Sequence, residues 1–372
     1  ARRGRGAGRC QSAGRTADAL GAGRVRARVR GTRAGNVRRL RTAAAGGAAA
    51  ENIGAIQFNA PFSYAAQNRA VTANDYKALV PQLYSNISCI AVWGGEYADP
   101  AVYGKVFISI KTPSGSNLTA KTKASIKTLL ADYTVASITP EFVDPITIKI
   151  IPVVNFKYNP SVTTKTNTAL VTLVTTAVNS FSDDDLEKFE GLFRYSKFQR
   201  TIDDSDTAIL SNITTLKISQ TITPTLATAT KYTTAFSNPL LDPDAAAKNV
   251  SSTGFTITSN ANGPHYLDDD GAGLIRTNYL VGTTKTYESA SIGTINYTTG
   301  EIILSSIDIA TVSNSDGTVT VTVIPSSNDI VPVRNQVLEI DSTNLTVTGT
   351  ADTIAQGSSN AGTSYTTTSS YN

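Results

Sequence analysis

From Tyr103 onward the alternation of apolar and polar positions changes period several times, and each change marks an element. "YGKVFISIK" (103–111) is rich in β-branched and aromatic residues and predicts a strand, closed by the turn residues of "TPSGSN". "LTAKTKASIKTLLADY" then places Ile126, Leu129, Leu130 and Tyr133 at i, i+3, i+4 and i+7, the spacing of one helix face. After "TPEFVDP" comes a long predicted strand, "ITIKIIPVVNFKY" (146–158). A second helix follows, with Leu170, Leu173, Val174, Ala177, Val178 and Phe181 on one face. This β-α-β-α order over 103–182 predicts a small α/β unit with two helices on one face of a sheet. "SDDDLEKFEGLF" predicts a third helix, with Ser182 as its N-cap and Asp183, Asp184 and Asp185 at the positive end of its dipole. That capped start accounts for the acid cluster without a catalytic role.

Upstream, "NRAVTANDYKALVPQL" predicts a short helix capped by Thr72, favoured by Asp75 and limited by Pro81. "SCIAVWGGEY" (88–97) predicts a short strand ending in a glycine turn, and residues 51–67 are expected to be extended or loop. Downstream of about residue 212 the period becomes 2: "TTLKISQTITPTL", "GFTITSN", "GTINYTTGEIILSSI" and "TVTVTVIP" all read as strands, and "NYTTGEIIL" has the form of a hairpin. Residues 250–310 are expected to form a small β domain inserted into, or appended to, the α/β part. The predicted fold class is therefore α+β, a small α/β unit with helices on one face of its sheet followed by a β-rich region of sandwich or small-barrel type. The expected divisions are a segment at 1–50, a connecting segment at 51–102, the α/β domain at 103–220, the β-rich domain at 221–345 and a flexible tail at 346–372.

Charge sets the first fifty residues apart. They hold thirteen arginines, no lysine and one acid (Asp18), a net +12, whereas residues 51–372 hold five arginines, fifteen lysines and twenty-eight acids, a net −8. A basic arm attracted to phosphates without sequence preference is physically sound. The arm has no interleaved aromatics to stack on bases, however, and the acidic body opposes it. A transit peptide fits only loosely, because the segment is Gly-rich and poor in large apolar residues.

The inventory of reactive residues is short. With Cys10 in the basic segment, Cys89 is the body's single thiol, and His265 is the one histidine, so His/Cys zinc sites and disulfide frameworks are excluded within the body. A Ser-His-Asp triad would have to use His265, in what reads as a turn-rich stretch with no nucleophile elbow. The body contains neither a P-loop nor a dinucleotide fingerprint, and Trp93 in "WGGE" reads as a packing residue. No run of eighteen apolar residues predicts a membrane-spanning helix. The most site-like stretch is "HYLDDDGAGL" (265–274). Set against a calcium loop, Asp268, Asp270 and Gly273 take positions 1, 3 and 6, but Ala272 and Tyr279 stand where ligands are required at 5 and 12. An Asp- and Gly-rich turn explains the same residues without a metal. No cofactor, metal or catalytic residue is assigned.

Seven blocks, in order, carry a resemblance: "NRAVTANDYKALV" (68–80), "AVWGGE" (91–96), "YGKVFISIK" (103–111), "ITPEFVDPITIKI" (138–150), "FRYSKFQRTIDDSDTAILSN" (193–212), "GTINYTTGEIIL" (293–304) and "NDIVPVRNQVLEID" (328–341). Together they resemble the baseplate wedge subunits of T-even-type contractile phages, in their C-terminal portion. Residues 103–220 are also similar to the wider baseplate J-like proteins. The resemblance implies a non-enzymatic virion subunit, assembled in the host cytoplasm. It implies a homodimer within each wedge, contacts with other wedge proteins, a ring around the tail hub, and transmission of baseplate rearrangement to the sheath. It supplies no catalytic residues. The helices at 119–133 and 164–181 are the expected interface elements, through Ile126, Leu129, Leu130, Tyr133, Leu170, Leu173 and Val174, although a packed core explains the same stripes. In that family the first block lies well inside a longer chain, so a fragment is expected here, with residues 1–50 foreign to it. The alternatives are a nucleic-acid-binding protein acting through the Arg-rich arm, and a glycan-binding β protein suggested by the Thr/Ser-rich strands.

Overall fold

The computed structural model describes residues 69–352 apart from 99, 136 and 244–247, together with residues 60, 61 and 64. The Arg-rich segment and residues 353–372 lie outside the described residues. The chain divides into two compact units at Asp144/Pro145.

In the first unit, helix α1 (Ala73–Leu83) begins with a capping box. The Asp75 N–H donates to Thr72 Oγ1 (3.3 Å) and the Thr72 N–H returns a bond to Asp75 Oδ2 (2.8 Å). Pro81 lies within its last turn, and the helix ends two residues later. Strand β1 (Cys89–Gly94) pairs antiparallel with β2 (Lys105–Lys111). Helix α2 (Ala120–Leu130), capped by Thr119, leads to β3 (Thr139–Phe142), which lies parallel to β2. The order is β1-β2-β3, so β2 is central and turns Val106, Ile108 and Ile110 onto Tyr76, Leu79 and Val80 of α1 and Ile126 and Leu130 of α2. Residues expected to connect (51–102) thus supply part of a core.

The second unit is built on β4 (Ile146–Tyr158) and β5 (Ile209–Ile222), a long antiparallel pair. Between them run α3 (Asn167–Phe181) and α4 (Tyr195–Asp203). Leu170, Val174, Val178 and Phe181 recur along one face of α3 and are buried, and Phe181, Phe193 and Phe198 meet ring against ring at 5.2–6.0 Å. After β5 the chain leaves for a second sheet. It contains β6 (Thr230–Ala235), β8 (Phe255–Ile257), β9 (Asn260–Asp269), β10 (Leu274–Val281), β11 (Thr284–Asn296), β12 (Glu301–Ile307) and β13 (Ile309–Val312); β7 (Ser251–Ser252), which precedes β8, joins the first sheet instead. The second sheet runs β13-β8-β9-β10-β11-β12-β6 and is open, with β13 and β6 at its edges. The predicted hairpin is present: Asn296 faces Glu301 across a turn whose Gly300 has φ +71°.

The chain then returns. Strand β14 (Val319–Val323) pairs with β5, while β15 (Gln336–Ile340) and β16 (Thr346–Ala351) lie one after the other, parallel, along the other edge of β4. The step between them is an Asx turn in which Asp341 Oδ1 accepts the N–H groups of Thr343 (3.0 Å) and Asn344 (3.3 Å). Residues 230–312 are therefore an insertion between two neighbouring strands.

Four expectations need correction. The α/β span 103–220 is not one unit, because β2 bonds only to β1 and β3, whereas β4 bonds to β5, β15 and β16; the two β-α pairs belong to different sheets. Ser182 does not start a helix. It ends α3 and opens a π-helical turn (Ser182–Leu186), and its hydroxyl accepts the Ile340 N–H at 3.0 Å, a long-range partner no local motif reveals. The segment expected to be tail from residue 346 forms β16 through Ala351. His265 is a strand residue, fully buried in β9. The fold class, α+β with a β-rich C-terminal region, stands as read.

Candidate functional site

The "DDD" at 268–270 ends β9, and strand alternation assigns its three carboxylates to three places. Asp268 points to one face. Its Oδ1 accepts from Arg276 Nε at 3.2 Å, and its Oδ2 accepts from Lys285 Nζ and from the Tyr287 hydroxyl (3.2 Å). The Arg276 guanidinium stacks 4.3 Å above the Tyr287 ring and donates to the Asp269 carbonyl at 2.7 Å. Asp269 points to the other face and is fully buried. One oxygen accepts the backbone N–H groups of Asn249 (2.8 Å) and Val250 (2.9 Å), and the other accepts the Tyr297 hydroxyl (2.7 Å). Burial, together with this bond to Asp269, raises the Tyr297 hydroxyl far above the ordinary phenol range. Asp270 makes the turn, its Oδ1 accepting from the Ala272 and Leu274 N–H groups at 2.8 and 2.9 Å. Burial pushes its carboxyl upward, but these backbone bonds outweigh that and hold it below the usual value.

Asp269 is thus a clamp. Through Asn249, whose side-chain amide also donates to Ile324 O at 3.0 Å, it ties the inserted sheet to the residue that directly follows β14 in sequence. The two residues weighed as calcium ligands, Asp268 and Asp270, do not converge: Asp268 spends its oxygens on cations and a phenol, and Asp270 on its own turn. Among the described residues no group of three His, Cys, Asp or Glu side chains is placed to hold a metal. His265 sits between Phe255 and Tyr279, with ring centroids 6.4 and 5.2 Å away, and neither nitrogen makes a hydrogen bond of ordinary geometry. Burial lowers its pKa below 6.5, while Glu288 and the Gly263 backbone pull it partly back. Trp93 stacks on Phe107 at 5.9 Å as a packing residue.

Of the expected interface residues, Ile126 and Leu130 lie inside the first unit, and Leu170 and Val174 inside the second. Tyr133 and Leu173 are half-buried against those cores. Leu129 is 48% exposed, because α2 turns only its Ile126–Leu130 line onto a sheet of three strands.

Two blocks distant in sequence meet around the start of α4. Arg194 offers no side-chain cap, and Asp329 supplies one from afar: Oδ1 accepts the Tyr195 N–H at 2.9 Å and Oδ2 pairs with Arg194 Nη1 at 2.7 Å. Beside it Phe193 and Ile330 exchange backbone hydrogen bonds, both 3.1 Å. Sequence reasoning missed Asp269, Asn249 and Asp329, whose partners lie up to 135 residues away.

Residues 72–143 match the family "Baseplate structural protein gp6, C-terminal domain I", and residues 149–221 match "Baseplate structural protein gp6, C-terminal domain III". Both stretches are thus similar to the C-terminal portion of a baseplate wedge protein. The two matched spans fall on either side of the break at Asp144/Pro145, and the inserted sheet lies outside both. "Baseplate wedge protein gp6" of Enterobacteria phage T4 is 26% identical over 173 residues. That alignment covers 46% of this chain and 26% of the relative, so the chain spans about a quarter of the length of the curated wedge protein it matches. Among solved structures, the cryo-EM structure of the anti-feeding prophage baseplate, 6-fold symmetrised, covers 44% of this chain and 37% of its own, at 16% identity and a TM-score of 0.34, too slight a likeness to bear on function. No helix among the described residues is long and apolar enough to cross a membrane.

Proposed function

We propose that this chain is part of a baseplate wedge protein acting as a non-enzymatic assembly subunit. It pairs with a second copy within a wedge, binds other wedge proteins in the ring around the tail hub, and passes baseplate rearrangement on to the sheath. The observation that carries the reading is the agreement between the two family matches and the two folded units, 72–143 in the first and 149–221 in the second. The chemistry of the most site-like stretch supports it, since all three aspartates of 268–270 are consumed by structural bonds. Exposed apolar side chains suited to contacts are present in each unit, among them Tyr97, Tyr103 and Leu129 in the first and Leu210, Ile213 and Leu280 in the second. The test is peptide mass mapping of purified contractile-tailed particles carrying this gene. The expected result is peptides from 69–352 at ring-like copy number; their absence from the particles would sink the reading.

A further inference from the structure

One face of the inserted sheet is basic although the body as a whole is acidic. On it, β9 presents Asp268, β10 presents Arg276, Asn278 and Leu280, and β11 presents Lys285 and Tyr287, as their pairing registers require. The face borders a groove of about 340 Å³ whose lining includes Lys248, Val250, Leu267, Asp268, Leu280 and Lys285.

Three cations thus meet one carboxylate. The Asp268 side chain is 4% exposed and already shared between Arg276 and Lys285, and Lys248 has no acidic partner among the described residues. Two of the cations are held in place: Arg276 is fixed by Asp268, the Asp269 carbonyl and the Tyr287 ring, and Lys285 lies 5.6 Å above the same ring. Apolar surface adjoins them. The pairing of β9 with β10 ends at His265 and Tyr279, so Leu280 projects beyond it on this face, 55% exposed, beside Val250 in the groove lining. A surplus of fixed positive charge over an apolar floor fits carboxylates carried on a chain with apolar side chains. Nucleic acid would use the charge and leave the floor uncovered.

We propose that this face receives an acidic, partly apolar segment of a different protein in the assembled particle. The proposal rests on the assembly reading above. Its test is carbodiimide coupling, which joins amines to carboxylates in contact, combined with acetylation of lysines, in purified particles and in the isolated chain. Lys248 or Lys285 is expected to be joined to an Asp or Glu of another protein, and both to be acetylated about tenfold less in the particle. In parallel, the chain carrying Lys248→Glu with Leu280→Ser should keep its melting temperature, since neither residue belongs to the buried clamp, and should enter particles about tenfold less. Equal acetylation in both states, or normal incorporation of the double variant, overturns the proposal and leaves the assembly role intact. Protection lost on nuclease treatment, or coupling to a second copy of this chain, overturns the stated occupant. Absence of the chain from the particles overturns both readings.

Discussion

Around β4 and β5 the buried side chains are mostly apolar, among them Ile148, Ile150, Val154, Phe156, Leu216 and Ile218 beside Thr214, Ser219 and Gln220; around β9 and β10, Leu267 and Ile275 are joined by His265, Asp268, Asp269, Thr277 and Asn278. Both sheets belong to the second unit, yet the first is covered by amphipathic helices and the second is clamped by polar side chains. Apolar burial tolerates small errors of placement, because its energy follows area. A buried carboxylate does not, because each oxygen needs its donors.

The widest gap between the two should appear at Asp269. Replacing it by Ala strands three donors, two of them buried, at about 1–3 kcal/mol each, so a loss of about 3–9 kcal/mol is expected in urea denaturation followed by circular dichroism. The counterpart in the helix-covered sheet, Phe198→Ala, empties a fully buried position in the aromatic cluster and should cost about 3–5 kcal/mol. The contrast is sharpened by shape-conserving changes. Asp269→Asn should remain severe and Phe198→Leu mild, and equal losses for the two would erase the distinction.

The comparison also shows why one sheet was legible in the sequence and the other only in part. Leu170, Val174 and Val178 announce their helix because periodicity is local, and so does the alternation of 209–222. Asp269 looked like part of a turn or an ion loop, since its partners, the 249–250 backbone and Tyr297, are brought near only by sheet pairing. Ser182 misled for the same reason, as a capping residue whose hydroxyl is taken by Ile340. Leu129 completed a helical stripe on paper, but three strands offer too little surface to bury it.

Smaller effects extend the series. A Cβ on Gly349 would lie 2.3 Å from Asn167 Oδ1 and 2.6 Å from Phe156 Cζ, so Gly349→Ala should cost about 1–3 kcal/mol and speed amide exchange in β16 first. Asp329→Ala removes the distant cap of α4, with an expected cost of about 1 kcal/mol. The backbone bond from Tyr195 and the Arg194 pair hold the Asp329 carboxyl below 3.8, so its contribution is present above that value and fades only as the pH falls beneath it.

The smallest expected effect is a separate limb in mild acid. His265 has a folded pKa below its ordinary 6.5, so an unfolded chain takes the proton first; its contribution is complete above 6.5 and is lost as the pH falls toward the folded value. Melting temperatures at decreasing pH should decline through this window for the native chain and stay flatter for His265→Phe. Identical slopes would show that the imidazole does not titrate there.

The sharing of β4's edge by β15 and β16 has a bearing on synthesis. When a ribosome has delivered β4 and β5, the strands that will cover β4's other edge are still to come, the nearer beginning at Gln336 and the farther at Thr346. Throughout that interval a thirteen-residue strand, alternately buried in the finished protein, offers unpaired N–H and C=O groups to any neighbouring chain. A transcript stopped before residue 336 would therefore release a product whose characteristic fate is edge-to-edge aggregation, and nascent chains on one message would need to be kept apart until their last strands emerge.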